Sequence, residues 1–397
     1  MAYKVRFVNP QKQYADHREE FIKAFDDVLT RGAIVNREDL WQFEEDFAKF
    51  VGAKYAVGVN SGTSALDVAL QATGIGPGDE VITVAHTFMA SISTIAMTGA
   101  TPVLVDVGRD FNMDVKALEQ ALTPKTKAIL PVHLNGRLCD MEVIMQIAKS
   151  RGLMVIEDAA QALGAKMQIA NGKWQSAGSF GLVGCFSLYW AKTLGGWGNN
   201  GIAVTDNLEI ARKLKLMRYN GEDREDRHFY YHAHNLLMDN VQAALLNVKL
   251  KYLSGWLERR KEIAARYRER LLDVKQLQLP HFSAAGGSAS GGDDARFSDV
   301  YTNYVVRAER RNELKKHLDN NQLVETMISW PQPTYTEPVM VDTKNRWRFG
   351  DSSATSLPET EKICKEALSL PIYPELTDEE VDYVANAVKA FYSKFSH

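Results

Sequence analysis

KAILPVHL (127–134), DMEVIMQIAKSRG (140–152) and LMVIED (153–158) follow one another as a short apolar run, a helical stretch closed by glycine, and a second apolar run. The reading is strand, helix, strand, and strands this short and apolar belong to a sheet covered on both faces. The alternation extends outward in both directions. Towards the N-terminus, YAVGV (55–59) leads into the helix candidate SALDVALQAT, and EVITV (80–84) into a helix through ISTIAMTGA. PVLVDV (102–107) reads as a further strand, and GIAVT (201–205) precedes a helix running to about Met217. This is the pattern of an open α/β domain, in which ligands gather where strands end and helices begin.

Farther along, the stretch from Met238 to Leu272 is helical throughout and charged on one face, which suits a link between two lobes. YTNYVVRA (301–308), RNELKKHLDNN (311–321) and a last helix from Thr377 then predict a smaller α/β lobe. The Gly/Ser-rich segment FSAAGGSASGGDDA (282–295) reads as a mobile surface loop. With 47 Lys and Arg against 50 Asp and Glu, the net charge of −3 offers no general attraction to nucleic acid or anionic membrane. Cys139, Cys185 and Cys364 are too few and too scattered to signal a disulfide framework or a zinc site. The opening MAYKVRFVNPQKQY lacks a signal-peptide core, and no apolar run is long enough for a membrane span, so a reduced cytoplasm is expected.

Three segments carry groups suited to pyridoxal-5′-phosphate (PLP), which needs an amine, an acid beside its ring nitrogen and a phosphate cradle. In VIEDAAQ (155–161), Asp158 ends an apolar strand, where it either meets a pyridinium nitrogen or caps the next helix. Ala160, two residues on, shares its face and would lie against the ring. In NSGTSAL (60–66), Gly62, Thr63 and Ser64 open a helix; their amides suit a phosphate, and a plain helix cap explains them equally. In CFSLYWAKTLGGWGNNG (185–201), Lys192 follows a buried strand and precedes a glycine-rich loop, with Ser187 five residues earlier. A lysine there is either paired, used, or solvated. Neither a GK[ST] phosphate loop nor a GxGxxG fingerprint is present.

In order and spacing, these segments resemble the DegT/DnrJ/EryC1/StrS family of PLP-dependent sugar aminotransferases, from QFEEDFAKFVGAKYAVGVNSGTSAL (42–66) to LSLPIYPELTDEEV (368–381). GPGDEVIT, TGATPVLVDV, VIEDAAQALGA, FSLYWAKTLGG and NLLMDNVQAALL fall between them. The resemblance implies PLP fold type I: a large domain (1–250) with a mostly parallel seven-stranded sheet and an N-terminal helical segment, and a small C-terminal α/β domain (251–397). It makes Lys192 the covalent anchor and proton shuttle, and Asp158 the partner of the ring nitrogen. Gln161 falls near the phenolic oxygen, Gly62, Thr63 and Ser187 at the phosphate, and Phe88 of HTFMAS (86–91) against the ring. Asn235 matches an asparagine that reaches the neighbouring subunit's cofactor, which requires a homodimer. Tyr189, Trp190 and Trp330 are expected along the sugar pocket. The implied reaction passes an amino group from L-glutamate, through pyridoxamine phosphate (PMP), to a keto-sugar nucleotide for amino-sugar or surface-polysaccharide synthesis.

The sequence departs from the family pattern at Asn36, Asn135, Asn199, Asn200 and Leu237, several of them near the expected sugar site. Rival readings remain in view. A dehydratase branch carries histidine at the lysine position, and Lys192 argues against it. A non-catalytic, regulatory relative would bind PLP or sugar nucleotide without turnover, and a cyclitol ketone is an alternative acceptor. His228 and His232 have the spacing of one helix face for a metal, but no nearby carboxylates complete a site; with His234 they read as solvated or substrate-facing.

Overall fold

The computed structural model describes residues 3–280 and 295–395, so the segment read as a mobile loop lies, but for Ala295, outside the described residues. The strands are β1 (Tyr55–Val59), β2 (Glu80–Val84), β3 (Thr101–Val105), β4 (Thr126–Ile129), β5 (Met154–Asp158), β6 (Lys166–Gln168) and β7 (Trp174–Ser176). They continue as β8 (Val183–Ser187), β9 (Gly201–Thr205), β10 (Leu277–Gln278), β11 (Phe297–Ser298), β12 (Tyr304–Ala308), β13 (Arg348–Phe349) and β14 (Ala367–Leu370).

The opening stretch of sequence folds as expected. Between β4 and β5 the helix Met141–Arg151 starts at the Asp140 side-chain cap and stops at Gly152, whose φ of 65° ends it in the left-handed region. β4 and β5 pair in parallel. The large sheet runs β1-β9-β8-β5-β4-β2-β3-β13. It is parallel from β8 to β13, and β9 runs antiparallel to both its neighbours. The expected seven strands are thus joined by an eighth, the two-residue β13, which pairs with β3. No apolar run announced it. Arg348 is drawn to the edge by the buried Glu80 carboxylate at 2.7 Å, and Phe349 packs in a cluster with Ala85, Ile92 and Leu104.

A second sheet, β10-β12-β14, is antiparallel and carries its own apolar core with the capped helix Asp378–Tyr392. The long helical stretch is two helices, Asn240–Leu250 and Leu253–Leu271. At Tyr252 the backbone tightens to a bond with the Lys249 carbonyl, and the tyrosine ring packs 4.0 Å from that of His17. The second helix buries Leu253 and Leu257 in the larger core and Ile263, Tyr267 and Leu271 in the smaller one. Among the described residues, no helix is long and apolar enough to cross a membrane.

Candidate active site

At the carboxyl ends of β5 and β8 a cavity of about 600 Å³ opens. β8 delivers Ser187, and the chain then turns so that the Lys192 amide donates to the Tyr189 carbonyl. Two bonds close this loop on itself: Leu188 N–H to the Asn200 carbonyl, 2.8 Å, and Gly196 N–H to the Leu188 carbonyl, 2.9 Å. Gly195 is held so tightly that a Cβ there would lie 2.3 Å from the Trp190 carbonyl oxygen. Lys192 is thereby presented to the cavity. Withdrawal from solvent lowers its amine pKa, and the nearby charge of Asp158 partly restores it.

Asp158, the last residue of β5, is 5% exposed and also lines the cavity. Ser91 Oγ donates to its Oδ2 at 2.7 Å and the Ala160 amide to its Oδ1 at 3.2 Å. Burial pushes its pKa up, while these two bonds and the cation at Lys192 oppose the rise. Ser91 is in turn 2.9 Å from Oγ1 of Thr87, four residues earlier and just before the helix Ala90–Met97. Neither residue was singled out from the sequence. The signal available was their place four apart in HTFMAS.

The phosphate candidates meet across two elements. The helix Gly62–Ala72 is capped by Ser61, whose side chain takes the Ser64 amide, so the first amides of the helix lie at the cavity wall. A Cβ at Gly62 would stand 2.7 Å from Ser187 Cβ, so only glycine lets the helix start approach the end of β8. This cradle, the amine of Lys192 and the carboxylate of Asp158 fit PLP's phosphate, aldehyde and ring nitrogen. Gln161 and Ala160 line the same wall. The Asn135 amide donates to Gln161 Oε1 at 2.9 Å, which leaves the Gln161 NH₂ as the donor available to a ligand oxygen.

Other expected residues are less uniformly placed. Phe88 lines the cavity but is 63% exposed. Tyr189 and Trp330 line it too, Trp330 edge-on to His86 at 5.3 Å. Trp190 does not share the wall of its neighbour Tyr189; it lines a neighbouring cleft that Lys192 also borders, with Pro10, Arg260 and Glu375. Asn235 is exposed and bridges Tyr219, outside this cavity. His228, His232 and His234 are exposed on an irregular segment, so the helix-face spacing has no helix beneath it.

Several departures from the family pattern have a backbone reason. Asn36 and Asn135 adopt φ of 50° and 58°, the left-handed region that asparagine tolerates best after glycine. Asn200 is buried, and its carbonyl closes the lysine loop. Leu237 bridges Val59 of β1 and packs against the large core.

Comparison with known proteins gives a consistent result. Residues 15–389 match the DegT/DnrJ/EryC1/StrS aminotransferase family. The chain is 38% identical to the pleiotropic regulatory protein of Geobacillus stearothermophilus, covering 99% of this chain and 100% of that one. It is 37% identical to the dTDP-3-amino-3,4,6-trideoxy-alpha-D-glucose transaminase of Streptomyces venezuelae, covering 97% and 96%. It superposes on the solved Bacillus subtilis NtdA with bound cofactor PMP with a TM-score of 0.82 at 30% identity, covering 95% of this chain and 82% of that one.

Proposed function

The chain belongs to the DegT/DnrJ/EryC1/StrS aminotransferase family and is a PLP-dependent aminotransferase, and we propose that it carries an amino group from L-glutamate to the keto group of a nucleotide-linked sugar. The observation that carries this reading is the meeting of Lys192, Asp158 and the Gly62–Ser187 cradle in one cavity. The sugar nucleotide as acceptor is supported by the transaminase relative from Streptomyces venezuelae.

Gly62, Thr63 and Ser187 would hold the phosphate, Phe88 and Ala160 would flank the ring, and Gln161 would donate to the phenolic oxygen. When bound, PLP supplies an electron sink for the charge left on the amino acid's α-carbon. Lys192 would anchor the cofactor, and its free amine would take the donor's α-proton and later return a proton to the sugar carbon. An amine whose pKa burial has lowered is better able to act as that base near neutral pH. Asp158, whose carboxylate Ser91 and Ala160 favour against the cost of burial, would pair with the ring nitrogen and favour its protonation.

Asn235 is assigned to the neighbouring subunit's cofactor phosphate, so the working enzyme is a homodimer with shared sites; exposure of Asn235 outside its own cavity supports this. The compartment that fits is the cytoplasm, where three buried thiols stay reduced. A regulatory reading draws on the names of two relatives, the pleiotropic regulatory protein of Geobacillus stearothermophilus and a sensory transduction protein of Saccharopolyspora erythraea. One experiment separates the two. The purified protein with added PLP should show a visible band that L-glutamate converts to a PMP-type band, and Lys192→Ala should show neither. A band that glutamate leaves unchanged would sink the transaminase reading.

A further inference from the structure

Lys249 is 2% exposed, yet among the described residues no carboxylate lies within ion-pair distance of it. Its Nζ donates to the Gly195 carbonyl at 2.6 Å and sits 4.2 Å from the centre of the Trp197 ring. A cation buried without a counter-ion normally costs stability, and an apolar side chain of similar length would fill the same space. What Lys249 gains instead is a grip on the loop that follows Lys192.

A second side chain grips the same loop. Gln242 lies two helical turns before Lys249 on the helix Asn240–Leu250, so both project from one face. Gln242 Oε1 accepts the Trp197 amide at 3.1 Å and Asn200 Nδ2 at 3.3 Å, and its Nε2 donates to the Trp197 carbonyl at 3.2 Å. A Cβ at Gly196 would lie 3.1 Å from Gln242 Oε1, so the loop wraps closely around this amide. The near side of the loop is already tied to β8 through Leu188, Gly196 and Asn200. Gly195 packs so closely on the Trp190 carbonyl that a Cβ would lie 2.3 Å from it, which joins the clamped loop to the turn that carries Lys192.

We infer that the helix Asn240–Leu250 is a clamp for the anchor loop, with Lys249 and Gln242 as positioning residues that set where the Lys192 amine stands. The inference rests on the reading of Lys192 as the PLP anchor. Neither clamp residue touches the cavity, so both act through the loop. Displacement of a reacting group by a fraction of an ångström is enough to slow chemistry without weakening substrate binding.

The test uses the PLP-loaded full chain as wild type, Lys249→Met, Lys249→Arg and Gln242→Ala. Three quantities are read: the single-turnover rate and half-saturation with L-glutamate, the pH midpoint of the visible band, and the thermal midpoint of the apoprotein. Lys249→Met should slow the turnover by about tenfold to a hundredfold with half-saturation within about twofold. Its band midpoint should move by about half a pH unit or more, because the field and geometry at the amine have changed. Its thermal midpoint should hold or rise, and Lys249→Arg, which still donates, should recover most of the rate. An unchanged rate, or a slowed rate with the band midpoint unmoved, overturns the clamp. Should Lys249→Met fail to fold, Gln242→Ala decides alone: a slower turnover with a shifted band supports the clamp, and wild-type values overturn it. A wild-type band that ignores glutamate would instead sink the aminotransferase reading.

Discussion

Glu157 and Asp158 are consecutive carboxylates on β5, both buried, and the strand sends them to opposite faces of the sheet. Glu157 is fully engaged by the protein. Its carboxylate accepts His133 Nε2 at 2.9 Å and the amides of Gly178, Phe180 and Gly181 at 2.8, 2.8 and 2.6 Å. The Cys139 amide donates to His133 Nδ1, so this ring carries its proton on Nε2 and donates that N–H to the Glu157 carboxylate as a hydrogen bond. Asp158 receives two donors among the described residues and looks into the cavity with capacity to spare. A buried carboxylate that the fold has satisfied holds elements together; one left short beside a cavity waits for a ligand.

The contrast is open to attack by substitution. Asp158→Asn should cost the most, slowing the glutamate half-reaction by about a thousandfold, roughly 4 kcal/mol of barrier, with little change in urea resistance. Glu157→Gln should do the reverse. It sets an NH₂ group against amide donors and removes a charge they stabilise, so urea unfolding should show a loss of about 3 kcal/mol while turnover per folded molecule stays within about tenfold. If Glu157→Gln unfolds no more easily than wild type, the division of labour is wrong.

His86 extends the comparison to a group that the fold refuses to charge. Burial lowers its pKa to about 4, helped by the charge of Arg307 and opposed by Asp106. The unfolded chain takes up that proton below about pH 6.5 and the folded one does not, so this contribution is constant above that pH and declines from there towards pH 4. Between pH 7 and 5 wild type should therefore lose about 2 kcal/mol more than His86→Gln, read as the difference between their urea midpoints. Equal pH dependence in the two proteins would overturn it. Ser91→Ala should have the smallest effect. Loss of one hydrogen bond to Asp158 should slow turnover by about five- to tenfold, roughly 1 kcal/mol, and a wild-type rate would show that the Ala160 amide holds the carboxylate unaided.

Much of the site was legible because its residues terminate recognisable elements. Asp158 ends an apolar run, Gly62 opens a helix, and Lys192 follows a strand, so local pattern and motif order place all three. Glu157 was equally visible in VIED but not interpretable, because its partners come from residues 133, 178, 180 and 181. Trp190 shows the limit of proximity in sequence: two residues from Lys192, it lines a neighbouring cleft with Pro10 and Arg260 rather than the wall that holds Tyr189.

Sequence alone determined the α/β alternation, the family, the cofactor class and the residues at the strand ends, because periodicity and short-range spacing are properties of the chain. Tertiary structure alone decided the rest: which neighbouring carboxylate is satisfied, that Arg348 brings an eighth strand to the sheet edge, and that Lys249 reaches the loop behind Lys192. These depend on donors and acceptors far apart in sequence, and the free energy of pairing them exists only once the sheet and its helices have packed.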